Sequence, residues 1–186
     1  YGSAPVLSRL GAAGTAVTPL PTGLFSGPGA RPMDAGFAAY AWSNDQRIER
    51  LSGQHFSQAY RSKVLDIQGG LFDSGPATLA LTAVALTEPA REFEALAAIQ
   101  AGRYVEGLDI TALASLVAIL RTAGLADAAE RLAGADEALL AANRARIAEG
   151  RGLMTRLGAQ GVPALVAEKA WRQRLIPANA LFGSFD

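Results

Sequence analysis

Gly161-Val162-Pro163, followed by the apolar run Ala164-Leu165-Val166-Ala167, is the stretch on which the reading of this chain turns. A Gly-x-Pro loop ahead of a short apolar run predicts a buried strand over residues 164–167. Residues 174–182 (RLIPANALF) predict a second strand, pairing with the first across a turn near Glu168 to Arg172. Pro177 has no N–H to give to a ladder, so it limits that pairing.

Upstream of this hairpin the pattern is helical. Asp136 begins a long helix with Leu140, Ile147 and Met154 seven apart, ending before Gly158. A short helix is predicted over 126–133. Thr111 caps a helix carrying Leu113, Leu116, Ile119 and Leu120, stopped by Gly124. Pro89 opens another, with Phe93, Leu96, Ile99 and Tyr104 on one side, and Gly107 ends it. Asp73-Ser74-Gly75-Pro76 starts a helix that runs through Leu79, Leu81, Ala83 and Val84 to Thr87. Gly69 and Gly70 separate it from a turn or two begun by Ser57, through Tyr60 and Val64. Asn44 or Asp45 is expected to cap one helix through Ile48 and Leu51, and Asp34 an earlier one through Phe37, Tyr40 and Ala41.

Residues 22–34 are rich in Gly and Pro and read as an irregular connection. Residues 15–20 (TAVTPL) predict a strand confined to an edge by Pro19 and Pro21. Residues 4–13 predict a short helix with Val6, Leu7 and Leu10 at helical spacing, closed by Gly11 and Gly14. Periodicity alone gives an α or α+β protein.

The 186 residues, half of them hydrophobic, suit one domain, or one domain carrying a large insertion. Lys plus Arg equals Asp plus Glu at 17 each, so no basic stripe points to nucleic acid or an acidic membrane. No apolar run approaches the roughly 20 residues that span a bilayer. There is no cysteine, hence no disulfide, thiolate ligand or thiol nucleophile within these residues. The lone histidine, His55, excludes a His-rich metal cluster, and no metal or cofactor is expected.

Five stretches together carry a resemblance. They are Tyr1-Gly2-Ser3-Ala4-Pro5, Trp42-Ser43-Asn44-Asp45, Phe72-Asp73-Ser74, Tyr104-Val105-Glu106-Gly107 and Gly161-Val162-Pro163. In this order they resemble the DsbA-like branch of the thioredoxin superfamily, and within it bacterial proteins described as protein-disulfide isomerases. The resemblance implies an α+β or α/β thioredoxin-like fold with a large all-helical insertion. Residues 1–22 and 158–186 would form the thioredoxin-like portion and residues 23–157 the insertion.

In such proteins a first strand leads into Cys-x-x-Cys at a helix N-terminus, where the dipole and free N–H groups stabilise a thiolate. Tyr1-Gly2 looks like the pair that follows the second cysteine. The resemblance further implies that Pro163 is a cis-proline. The Val162 backbone would then pair strand-fashion with an extended substrate or glutathione. Gly161, Val162, Pro163 and Tyr1 are therefore the expected substrate-binding residues, with no catalytic residue in the chain as given. The implied partners are polypeptide thiols or disulfides, or glutathione, with no nucleic acid or membrane, in the cytoplasm.

The thioredoxin sheet places its first strand centrally. A strand is therefore expected ahead of Tyr1 in the gene product, or from another chain, and a further helix after Asp186. An open edge would favour a homodimer.

Three functions fit. The first is a thiol–disulfide oxidoreductase or isomerase whose redox motif is absent from these residues. The second is a redox-inactive peptide- or thiol-binding module. The third is a glutathione-dependent isomerase or transferase of the 2-hydroxychromene-2-carboxylate isomerase type, whose N-terminal serine-containing signature Tyr1 to Pro5 does not match. Other residues read as structural. His55 is expected to be solvent-facing or locally bonded, Phe37, Tyr40 and Trp42 to pack between helices, and Ser3 to sit at a helix start. Glu92 and Glu94 are expected on a solvated face.

Overall fold

The computed structural model describes residues 1–67 and 69–177, so the tail of the expected second strand, residues 178–182, lies outside it. The elements run α1 (Ala4–Ala12), β1 (Arg31–Pro32), α2 (Ala35–Ser52), α3 (Gln58–Tyr60), β2 (Leu71–Phe72), α4 (Gly75–Thr87), α5 (Glu92–Tyr104), α6 (Leu113–Thr122), α7 (Ala126–Gly134), α8 (Glu137–Leu157), β3 (Leu165–Lys169) and β4 (Arg172–Ile176). Short 3₁₀ turns precede β1 and α5, and a π turn over Arg61–Leu65 extends α3.

Helix α4 organises the larger core. Ala77, Leu79, Ala80, Ala83 and Val84 are all buried, because α5, α6, α7 and α8 pack around it. Small side chains on two packed helices, Ala80 and Ala83 of α4 and Ala128 and Ala129 of α7, share this core. Leu116, Leu120, Leu125, Leu132 and Leu139 fill the remaining space with no exposure at all. A smaller core of Met33, Ala38, Phe56, Tyr60 and Leu65 lies beside α2, covered by Tyr1, Phe37, Trp42, Phe72 and Tyr104.

The caps read from sequence hold at three starts. The carboxylate of Asp34 accepts the Phe37 N–H, that of Asp136 the Leu139 N–H, and the Ser57 hydroxyl the Tyr60 N–H. Gly53 and Gly158, both left-handed, close α2 and α8.

Four expectations are corrected. Helix α2 is continuous, and Asn44 and Asp45 sit inside it as ordinary helical residues. Thr111 does not cap α6. Its N–H and hydroxyl both bond to Asp109, and Ala112 occupies the cap position. Residues 15–20 form no strand, and arginines of α8 instead hold the proline-bearing stretch over 19–23 by its carbonyls. Arg146 donates to Pro19 O at 3.0 Å, and Arg151 to Thr22 O and Gly23 O at 2.7 and 2.8 Å. Gly150 lets the Pro21 carbonyl lie directly against α8, where a Cβ would collide with it. Glu92 is not on a solvated face. It is 6% exposed and accepts a 2.6 Å bond from Arg146, which also reaches the buried Thr82 hydroxyl.

The C-terminal hairpin pairs Leu165 with Ile176 through Lys169 with Arg172. Its turn is Ala170-Trp171, both at positive φ, which suits the twist of a two-residue hairpin loop. The run at 164–167 is less buried than its apolar character predicts. Only Leu165 and Val166 are half-covered, while Ala167 to Lys169 are exposed. The second strand begins at Arg172, two residues before the predicted start. A two-residue ladder, Arg31 with Phe72 and Pro32 with Leu71, had no sequence signal.

Candidate functional site

Tyr1 is held against the helical layer. Its ring stacks on Tyr104 at 4.8 Å and meets Phe56 edge-on at 5.1 Å. Its hydroxyl donates to the His55 carbonyl at 3.0 Å. Gly2 touches α2 so closely that a Cβ there would lie 2.6 Å from Ile48 Cγ2. The start of α1 is thereby seated on α2, the loop ahead of α3 and the end of α5.

Under that seat lies a buried polar group. Tyr60, 2% exposed, donates its hydroxyl to Asp45 Oδ2 at 2.9 Å. Arg103, 6% exposed, lies over the rings of Phe72, Tyr60 and Tyr104, with its guanidinium carbon 5.1, 5.6 and 5.8 Å from their centroids. Burial pushes the Asp45 carboxyl up to about 6, against the opposing pull of the Tyr60 bond and the Arg103 charge. Burial also raises the Tyr60 phenol, with the Asp45 charge acting in the same direction. It raises Tyr104 as well, which Arg103 opposes.

The surrounding turns fix this arrangement. The Ser57 N–H bonds to Tyr104 O at 2.9 Å, joining the start of α3 to the end of α5. Gly107, at φ +69°, passes so close to Ala59 that a Cβ would lie 2.6 Å from its carbonyl oxygen. The stretch Tyr104-Val105-Glu106-Gly107 is thus a packing joint whose tyrosine faces Tyr1.

The loop is a separate feature. The Val162–Pro163 peptide bond is cis. Gly161, Val162 and Pro163 are exposed, Val162 by 48%. Among the described residues the Val162 N–H and carbonyl have no hydrogen-bond partner. Nor does any hydrogen bond or ring contact join these three residues to Tyr1. The four expected site residues therefore fall into two places, the loop and the Tyr1 seat.

His55 is exposed, with Nδ1 2.9 Å from Glu49 Oε1. Phe37 stacks beside Tyr40 and meets Phe72 edge-on, but Tyr40 itself is 66% exposed. Ser3 holds the cap position of α1 without a side-chain bond. Asp45, Tyr60 and Arg103 were not read as a group. Asp45 was assigned a cap, and nothing local links it to Tyr60, fifteen residues away. Among the described residues no three His, Cys, Asp or Glu side chains converge to hold a metal. No helix among them is long and apolar enough to cross a membrane.

No protein-family model and no curated protein matches the chain. Solved structures do. The cytosolic disulfide reductase DsbM from Pseudomonas aeruginosa is 30% identical, with a TM-score of 0.86 over 98% of this chain and 85% of that one. A second structure of that reductase, with glutathione (GSH), is 31% identical, with a TM-score of 0.83 over 98% and 86%. A protein from Nitrosomonas europaea with a provisional protein disulfide isomerase assignment is 25% identical, with a TM-score of 0.75 over 97% and 86%. The helix-rich α+β architecture, matched across almost all of its length at this identity, places the chain in the DsbA-like family of thioredoxin-fold disulfide reductases and isomerases.

Proposed function

We propose that this chain is a DsbA-like thiol–disulfide protein that holds glutathione or an extended polypeptide at the Gly161-Val162-Pro163 loop, with Tyr1 as a further substrate contact. The observation that carries the reading is the exposed Val162 backbone, which has no hydrogen-bond partner among the described residues, in a chain similar to a reductase whose structure contains glutathione. A free N–H and carbonyl on an open loop can take an extended ligand as an added strand. Residues 1–22 and 158–186 supply the thioredoxin-like portion and residues 23–157 the helical insertion. The cytoplasm is the compartment that fits, since the reductase it resembles is cytosolic. Among the described residues the β3–β4 hairpin pairs with no further strand, and such an edge suits a homodimer.

The chemistry needs a thiolate, and these 186 residues hold none. Bound glutathione supplies it. The thiolate attacks one sulfur of the substrate disulfide and forms a mixed disulfide. The other sulfur leaves as a thiolate and takes a proton. A second thiol then resolves the mixed disulfide, so two thiols are oxidised for each disulfide reduced.

A second reading is a binding module that holds thiol compounds or peptides at the exposed loop without exchange. Calorimetry with glutathione, paired with insulin reduction by the full-length gene product using glutathione as reductant, separates the two. Binding with turnover supports the first reading. Binding without turnover supports the second. Absence of both refutes the site.

A further inference from the structure

The tip of the β3–β4 hairpin goes against local preference in three ways. Its two-residue turn needs positive φ at both positions, which Asn and Gly adopt at little cost. Ala170 and Trp171 stand there instead, at φ +49° and +64°, and a bulky side chain in that region is strained. Trp171 is 95% exposed, so the turn displays its indole rather than burying it. The residues that close the turn, Lys169 and Arg172, sit directly opposite across the ladder, where like charges repel.

The register gathers the charge on one side. Residues opposite each other, or two apart along a strand, share a face, so Lys169, Arg172 and Arg174 point the same way. All three are exposed, and among the described residues none makes a side-chain hydrogen bond or ion pair. The acid of this hairpin, Glu168, lies on the other face, where it accepts the Gln173 amide at 2.8 Å. An exposed Trp beside arginines has the composition of a protein-binding hot spot. The number of cations separates the polyanions that could meet it. An anionic lipid surface is held by clusters of about four to eight Lys or Arg, and nucleic-acid binders commonly contact about six to ten phosphates. Three cations and one indole fall short of both, and match a short acidic segment that carries an apolar side chain for the indole to cover.

We propose that this hairpin tip is a docking site for an acidic polypeptide, anchored by Trp171 and steered by Lys169, Arg172 and Arg174. The strained turn and the facing cations then serve recognition at the expense of hairpin stability. Strand β3 separates the tip from Pro163, which puts the two at opposite ends of one strand, about 20 Å apart. A partner held at the tip does not cover the loop, so the docking site is independent of the functional reading.

The test titrates the chain with a synthetic Glu/Leu peptide, a Lys/Leu peptide of the same length, oligo(dT) and phosphatidylserine vesicles, by calorimetry and by tryptophan fluorescence. Saturable binding of the Glu/Leu peptide, tighter than that of the other three, is the expected result, with a blue shift and shielding of the indole from acrylamide. Two variants relieve the local costs while removing the contacts. Trp171→Gly suits a positive φ, and Lys169→Glu turns the facing pair into one of opposite sign. Each should weaken the Glu/Leu peptide about three- to tenfold by calorimetry, with a thermal unfolding midpoint equal to or above that of the chain. No binding of this peptide, or unchanged affinity in both variants, overturns the docking site. Equal or tighter binding of any of the other three probes overturns the choice of occupant. A lower unfolding midpoint in both variants shows that these residues hold the hairpin together, and overturns the proposal as well.

Discussion

Replacing Arg146 by Met tests how the segment over residues 15–23 and the helical layer are held together. Arg146 and Glu92 are 15% and 7% exposed and joined by a 2.6 Å bond. The same guanidinium reaches Pro19 O at 3.0 Å and Thr82 Oγ1 at 3.3 Å. Methionine keeps much of the apolar stem but leaves the Glu92 carboxylate buried and alone, a loss of about 3–5 kcal/mol. Thr82 keeps its bond with Asn143, so its share is small.

With a urea slope of about 2 kcal/mol per molar, a loss of about 4 kcal/mol lowers the unfolding midpoint by about 2 M. The pH dependence has a definite sign. Burial already raises Glu92 above the usual carboxylate range, with Arg146 opposing. Removing Arg146 raises it further, so the folded variant binds a proton that the unfolded chain releases. The deficit therefore shrinks as pH falls from about 8 to about 5, and adding Glu92→Gln recovers most of it. Urea unfolding followed by far-ultraviolet circular dichroism measures both. A loss under about 1 kcal/mol, or one equal at both pH values, would refute the reasoning.

Asp45→Asn should flatten part of the pH–stability curve. A carboxyl raised to about 6 gives stability that is complete below its unfolded value and lost as pH rises through 6, about 2 kcal/mol after allowance for its partial exposure. Parallel curves for the two proteins would contradict this. Gly107→Ala meets the Ala59 backbone as well as an unfavourable φ, and should cost more than about 2 kcal/mol, whereas Gly53→Ala, at φ +72° in open space, should cost about 1. Equal losses for the pair would show that backbone crowding at Gly107 is unimportant. Leu120→Ala, at a fully buried position, should cost about 2–5 kcal/mol in the same assay.

The sequence reading succeeded where local chemistry decides structure. Asp34, Ser57 and Asp136 cap helices because a short polar side chain reaches its own backbone three residues on, whatever the tertiary fold. Asn44 and Asp45 offered the same signal and misled. The apolar stripe continues past them, and Asp45 spends its carboxylate on Tyr60. The segment over 15–20 misled in another way. Its β-like composition was real, but an arginine over a hundred residues away takes the Pro19 carbonyl, and a second holds the chain just beyond it at Thr22. Glu92 was misread for the same reason, since its partner lies 54 positions on.

Of the site, the loop was legible as Gly-x-Pro ahead of an apolar run, and the Tyr1 seat was not. Stacking on Tyr104 and the charge group beneath it arise only when four elements meet. The family resemblance named Tyr1 as a substrate contact, while its packing on Tyr104 and Phe56 had no sequence signal.

The most direct test of the functional claim is calorimetric titration of the chain with glutathione beside Val162→Pro, which removes the exposed N–H. Saturable one-to-one binding with a Kd of about 1 mM or tighter, weakened about tenfold in the variant, is the expected result. No saturable binding, or binding indifferent to residue 162, would contradict the assignment.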